Sequence, residues 1–172
     1  VFFLHGGSFV SGSKTNSDIV DLCERYASMG YVSISIDYRL TPNLIFQGTE
    51  ENAYRAVMKA IHDLKAAIRY LNKSYEENNI YSIDPNRVYV GGISAGSIAS
   101  IHAAYLDQED EIPNEIYNET MLIGGLDGQS GNEGYGSSIH GVINLCGAIG
   151  DYFWLEENDL PIVSMHGDAD NT

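Results

Sequence analysis

Three features of the sequence predict an α/β fold with a mostly parallel sheet flanked by helices. Short apolar, β-branched runs alternate with stretches of helical periodicity. Strand, helix, strand, helix is the order that connects parallel strands, because each return crosses the sheet by a helix. The 172 residues, 44% of them hydrophobic, suffice for one domain with a sizeable core.

The elements follow in order. Val1–Leu4 (VFFL) is a buried-strand candidate. Ser17–Met29 places Ile19, Leu22, Cys23 and Tyr26 on one helical face, and Gly30 is placed to stop the helix. Tyr31–Tyr38 (YVSISIDY) alternates as a strand does. Glu50–Ser74 is the longest helix, with Ala53, Val57, Ala60, Ile61, Leu64, Ile68 and Leu71 as its buried stripe. Asp84, Pro85 and Asn86 make a turn before the strand Arg87–Val90. Ser94–Leu106 reads as a helix of small residues, and Ile139–Ala148 and Pro161–Met165 as two more strands. Asp107–Ser138 fits none of these. It is acidic at first, then glycine-rich, with little apolar area to bury, and is expected to be an insertion or a mobile loop within a single domain spanning 1–172. The chain begins inside an apolar run, without initiator Met or signal peptide, and ends just past a strand on MHGDADNT. Both ends are expected to be cut from a longer chain, which leaves the compartment open.

The net charge is −15, from 24 Asp and Glu against 9 Lys and Arg. Such an acidic protein repels phosphate backbones and anionic lipid, which argues against nucleic acid or membrane as a partner. No run is long and apolar enough to span a bilayer. Cys23, on a surface helix, and Cys146, in a buried strand, are expected to be free thiols. No HExxH or CxxC occurs, so neither metal nor cofactor is predicted.

The chemistry concentrates in two motifs. Gly92-Ile93-Ser94-Ala95-Gly96 follows the strand RVYV and precedes a helix, the context of a nucleophile elbow. There Ser94 sits on a very tight turn, at the positive end of a helix, with its hydroxyl lifted clear of the sheet. Side chains two residues to either side would strike neighbouring backbone, hence the two glycines. The bland alternative is a glycine-rich strand-to-helix turn with an incidental serine. His5-Gly6-Gly7-Ser8-Phe9 follows the first strand, and glycines there let backbone N–H groups face a cavity. With the N–H of Ala95 they would form an oxyanion hole. A phosphate-cradling loop is the alternative, but it would want more glycines and the P-loop lysine.

"HGGSF", "SIDYRLTP", "DPNRVYVGGISAG" and "HGDAD" stand in the order and approximate spacing of the α/β-hydrolase carboxylesterases. The chain resembles the esterase and lipase group with an HGG-type oxyanion loop, over most of its length except Asp107–Ser138. The resemblance implies the α/β-hydrolase fold and two-step acyl transfer on a small ester, with Ser94 as nucleophile. Gly7, Ser8 and Ala95 would supply the oxyanion N–H groups, with Ser8 standing where a third glycine is common. The family acid falls at Asp170 in the HGxxD pattern, ahead of Asp168, whose side chain would brace the loop, and of Asp151, where some relatives place it. The triad order Ser, Asp, His calls for a histidine after Asp170. His5, His62, His102, His140 and His166 all precede it, so the base is expected beyond Thr172. Phe9, Ile93 and Trp154, with Tyr38 and Phe153, are candidates for the substrate pocket, though aromatics near strand ends are commonly core. Asp37, Tyr38 and Arg39 are expected to hold their loop through a local ion pair. A peptidase or thioesterase on the same fold, and a non-catalytic binding module, are the competing functions. The oligomeric state is open, with pairing through sheet edges as one possibility.

Overall fold

The computed structural model describes residues 1–41 and 48–170. Pro42 of the SIDYRLTP motif lies outside the described residues, and so does the histidine expected after Asp170. Five strands form one all-parallel sheet: β1 (Phe2–Leu4), β2 (Ile34–Ile36), β3 (Tyr89–Ile93), β4 (Gly141–Leu145) and β5 (Ile162–Met165), in the order β2-β1-β3-β4-β5. The helices are α1 (Ser17–Ser28), α2 (Glu50–Glu77), α3 (Ala95–Tyr105) and the short α4 (Tyr117–Leu122).

Side chains alternate across the sheet and sort the core into two layers. Phe2, Leu4, Val90 and Val142 pack with α2 and α3, in the larger cluster. Phe3, with Tyr89, Ile93 and Ile143, meets Ile19, Leu22 and Tyr26 of α1. α2 starts at Thr49, whose side chain accepts the Asn52 N–H, and carries Glu50 and Glu51 in its first turn, where the helix dipole favours them. It runs one turn further than its stripe predicts. In α3 every residue but Ile98 is buried, which explains its small residues: the helix is wedged between the sheet and α2.

Two elements differ from the sequence reading for visible reasons. β2 is only three residues long, because β1 offers only Phe2, Phe3 and Leu4 to pair with Ile34, Ser35 and Ile36. The charges after it make no pair with one another. Asp37 binds Lys14 at 3.1 Å, and Arg39 reaches across to Asp63 on α2 at 2.9 Å. β3 extends past Val90 through both glycines, which pair with β1 on one side and β4 on the other.

Residues 107–138 bury more than their composition suggests. Ile112, Ile116 and Thr120 are buried, and the first two join the main core. The glycine-rich part lies along α2, whose side chains seize its carbonyls. His62 Nε2 donates to Gly125 O at 2.8 Å, Arg69 to Asp127 O at 2.7 Å and Gly131 O at 2.9 Å, and Asn72 to Gly136 O at 2.6 Å. The nearly buried Lys65 pairs with the Asp127 carboxylate at 3.1 Å. Apolar residues spaced four apart among the acids, and polar anchors drawn from another helix, supply the hold that composition hid. Cys146 also departs from expectation. It lies just past β4, exposed, with φ 56°, and is a free thiol like Cys23. Among the described residues no helix is long and apolar enough to cross a membrane.

Candidate active site

In an open parallel sheet, ligands bind beyond the carboxyl ends of the strands, where the strand order reverses. Here the chain steps from β1 outward to β2, then returns to place β3 on the other side of β1. The reversal lies between β1 and β3. The loop after β1 is His5 to Phe9, and the residue after β3 is Ser94.

Ser94 has φ 52° and ψ −119°, a conformation that L side chains seldom adopt, and it starts α3 directly. Its N–H still donates to Leu145 O at 2.9 Å, the last bond of the ladder with β4, while its C=O accepts the Ile98 N–H at 2.9 Å as the first bond of the helix. Strand and helix therefore meet at one residue. The flanking glycines are dictated by backbone. A β-carbon on Gly92 would stand 2.5 Å from Gly96 C and 2.6 Å from Leu4 O. One on Gly96 would run into Leu4 O and stand 2.7 Å from His5 O. Ala95 is the first helical residue, so its N–H has no acceptor one turn earlier.

Three consecutive residues, Gly7, Ser8 and Phe9, have φ of 118°, 53° and 62°. Glycine at position 7 is required on a second count, since a β-carbon there would run into Ser11 O. The loop crowds Ser94: a β-carbon on Gly6 would lie 3.6 Å from Ser94 Cβ. His5 is fully buried, stacks on Tyr38 with ring centroids 4.3 Å apart, and donates from Nδ1 to Gly6 O at 2.7 Å. Tyr38 OH donates to His5 O at 2.8 Å, and Thr41 N to Phe9 O at 2.7 Å, so the loop after β2 braces the loop after β1.

On the other flank β5 leads into His166, Asp168 and Asp170. β5 lies two strands from β3. At roughly 4.8 Å per strand, the ends of the two are on the order of 10 Å apart. An imidazole with hydrogen bonds of about 2.8 Å at both nitrogens spans a gap of that order. Asp170 Oδ2 lies 3.8 Å from His166 Nδ1. Asp168 is exposed, and Asp151 caps a single 3-10 turn, accepting the Phe153 N–H at 3.0 Å.

Each of the five histidines has a ring nitrogen engaged by another group. Besides His5 and His62, His140 Nδ1 accepts from Val88 N at 3.2 Å, and His166 Nε2 accepts from Asn144 Nδ2 at 3.1 Å. His102 is used at both: Nδ1 donates to Ile98 O at 2.8 Å, and Nε2 accepts from Gly150 N at 3.1 Å. Burial, above all, holds His62 and His102 below the ordinary histidine pKa. Unfolding lets both rings take up protons once the pH falls below about 6.5, while the folded rings stay neutral. They leave stability unchanged above that pH and reduce it below, by up to ~1.4 kcal/mol per pH unit for each ring until its folded pKa is reached. The urea midpoint should therefore drop between about pH 7.5 and 5.5, and His62→Gln should flatten the drop. An unaltered slope in that variant would show that His62 is not held neutral.

The pocket candidates divide between the two sides of the sheet. Phe9 is buried, edge-on to Tyr38, and Trp154 is buried against His102 of α3 at 5.3 Å. Ile93 is half-buried on the α1 side, and Phe153 is exposed. Two residues that the sequence reading passed over belong to this region. Asn144 is buried in β4, and Ser97, one turn into α3, donates to its Oδ1 at 2.6 Å. The available signal was a single polar residue inside the apolar run IHGVINLCGA.

The fold has counterparts among known proteins. The BD-FAE family model matches residues 1–149. Neutral cholesterol ester hydrolase 1 of Rattus norvegicus is 34% identical over 123 residues, 71% of this chain and 26% of its own length. That of Bos taurus is 27% identical over 124 residues, 71% of this chain and 28% of its own length. The chain thus spans about a quarter of the length of the curated relatives it matches. The apo form of Thermogutta terrifontis esterase 2 superposes with a TM-score of 0.67 at 21% identity, covering 99% of this chain and 60% of that one. The same esterase phosphoramylated by tabun gives 0.69 at 20% identity, with the same coverage. At such identities the likeness is one of fold, here the α/β-hydrolase sheet with its flanking helices.

Proposed function

We propose, from the premise that this chain belongs to the BD-FAE family, that it carries the nucleophile and acid of a serine ester hydrolase acting on small carboxylic esters. The observation that carries the proposal is the placement of Ser94. It stands in a strained turn at the start of α3, at the strand-order reversal, with the His5–Phe9 loop against it. Strain of that kind persists where function needs it.

In this reading the Ser94 hydroxyl attacks the ester carbonyl and gives up its proton to a histidine. The carbonyl oxygen becomes an oxyanion, met by the N–H groups of Gly7, Ser8 and Ala95. The alcohol leaves with the proton returned by the histidine, and water then releases the acid by the same steps in reverse. Asp170 orients the histidine and stabilises its charged form. With the order Ser, Asp, His, the base of this reading would follow Asp170 in the chain.

The test is covalent labelling of the full-length protein by a fluorophosphonate, with nitrophenyl esters of rising acyl length as substrates. One label per chain, mapped to Ser94, should abolish turnover in proportion to labelling, and short acyl chains should be preferred. A protein that takes no label and turns over no ester would instead be a binding module, and label on another residue would refute the assignment of Ser94.

A further inference from the structure

We propose that Asn144 is a positioning residue that acts through His166, holding the loop of Asp170 in register with Ser94. The inference rests on the esterase reading above for its kinetic part, and on side-chain geometry for the rest.

The polarity of the chain of contacts follows from two backbone donors. The Leu145 N–H donates to Ser97 Oγ at 3.1 Å, so the Ser97 proton is free to go to Asn144 Oδ1, 2.6 Å away. The Gly147 N–H also donates to Asn144, at 2.8 Å, and the atom that faces a backbone N–H must be the amide oxygen. The amide of Asn144 is therefore fixed with Nδ2 turned to β5. Nδ2 donates to Ser164 Oγ at 3.2 Å and to His166 Nε2 at 3.1 Å. A nitrogen that accepts carries no proton, so neutral His166 bears its hydrogen on Nδ1. That Nδ1–H lies on the side of Asp170, whose Oδ2 is 3.8 Å from Nδ1.

The chain of bonds begins where Leu145 O also holds the Ser94 N–H. It thus joins the nucleophile turn, α3, β4, β5 and the start of the acid loop, with the Asn144 amide fixed at its centre. Asn144 is buried, and a β-carbon on Gly147 would stand 2.6 Å from Ser97 Cβ, so the cluster is packed as well as bonded. Displacing a reacting group by about 1 Å costs on the order of 10²-fold in rate, which makes such a linkage kinetic as well as structural.

Asn144→Asp in the full-length protein separates the parts. It keeps the oxygen that serves Ser97 and Gly147 but replaces the Nδ2 donor by an acceptor, and so demands a proton on His166 Nε2. We expect the nitrogen-15 spectrum of His166 to show the Nδ1–H tautomer in the unsubstituted protein, and Nε2 protonated in the variant. Turnover per fluorophosphonate-titrated serine should fall about 10²-fold with KM changed by less than about twofold. His166→Gln should lower it too, and the double variant should lose no more than the worse single, because both act on one linkage. Turnover per titrated serine at the unsubstituted level, or losses that multiply, would reduce Asn144 to a brace. An Nε2–H tautomer in the unsubstituted protein would overturn the linkage even if Asn144→Asp does not fold. If Ser94→Ala keeps its turnover, the esterase reading falls instead, and the tautomer alone decides the linkage.

Discussion

Ser94→Ala in the full-length protein is expected to lower kcat for nitrophenyl acetate by roughly 10⁴–10⁶-fold while the protein stays folded. In the proposed mechanism the variant keeps the N–H groups of Gly7, Ser8 and Ala95 but has no atom to form the acyl bond. Stability should move by less than about 1 kcal/mol, since Ser94 spends no side-chain hydrogen bond on capping α3 and alanine occupies less space. Matched unfolding curves with collapsed turnover would support the nucleophile assignment. Turnover within tenfold of the parent would move the chemistry to another residue.

Asp170→Asn should be the second most costly change, on the order of 10⁴-fold in kcat, because in the proposed triad an amide would hold the wrong tautomer of the histidine. Asp168→Asn, two residues earlier on the same exposed loop, provides the control. Its carboxylate has no place in the proposed triad, and a change of less than about tenfold is expected, the ordinary scale for an exposed side chain. Reversal of the two effects would transfer the acid role to Asp168. A loss only in Asp151→Asn would transfer it to the loop after β4.

The strands and the Ser94 turn were legible because their causes are local. A buried parallel strand needs an apolar run, and a strand that becomes a helix at one residue needs glycines where Leu4 O and the Gly96 backbone leave no room. The aromatic and glycine pattern after β1 was readable for the same reason. What escaped is held together by contacts distant in sequence. Arg39 finds Asp63 instead of its neighbour Asp37, because β2 ends early and delivers it to α2. Ile112 and Ile116 enter the core from a stretch whose acids and glycines dominate its composition. Asn144 passed as one residue of the strand Ile139–Ala148, and only the fold reveals its facing partners, Ser97 and His166.

The seizing of residues 125–136 by α2 has an evolutionary reading. His62, Arg69 and Asn72 grip main-chain oxygens, which every amino acid possesses. Those three anchors would survive changes of side chain, whereas the Lys65–Asp127 pair would not, and Gly125, Gly131 and Gly134 sit at positive φ where a side chain is strained. At Gly128 a β-carbon would in addition collide with the His62 ring. The helix keeps the address, and only the positions of the stretch outside these glycines and Asp127 are free to change their face.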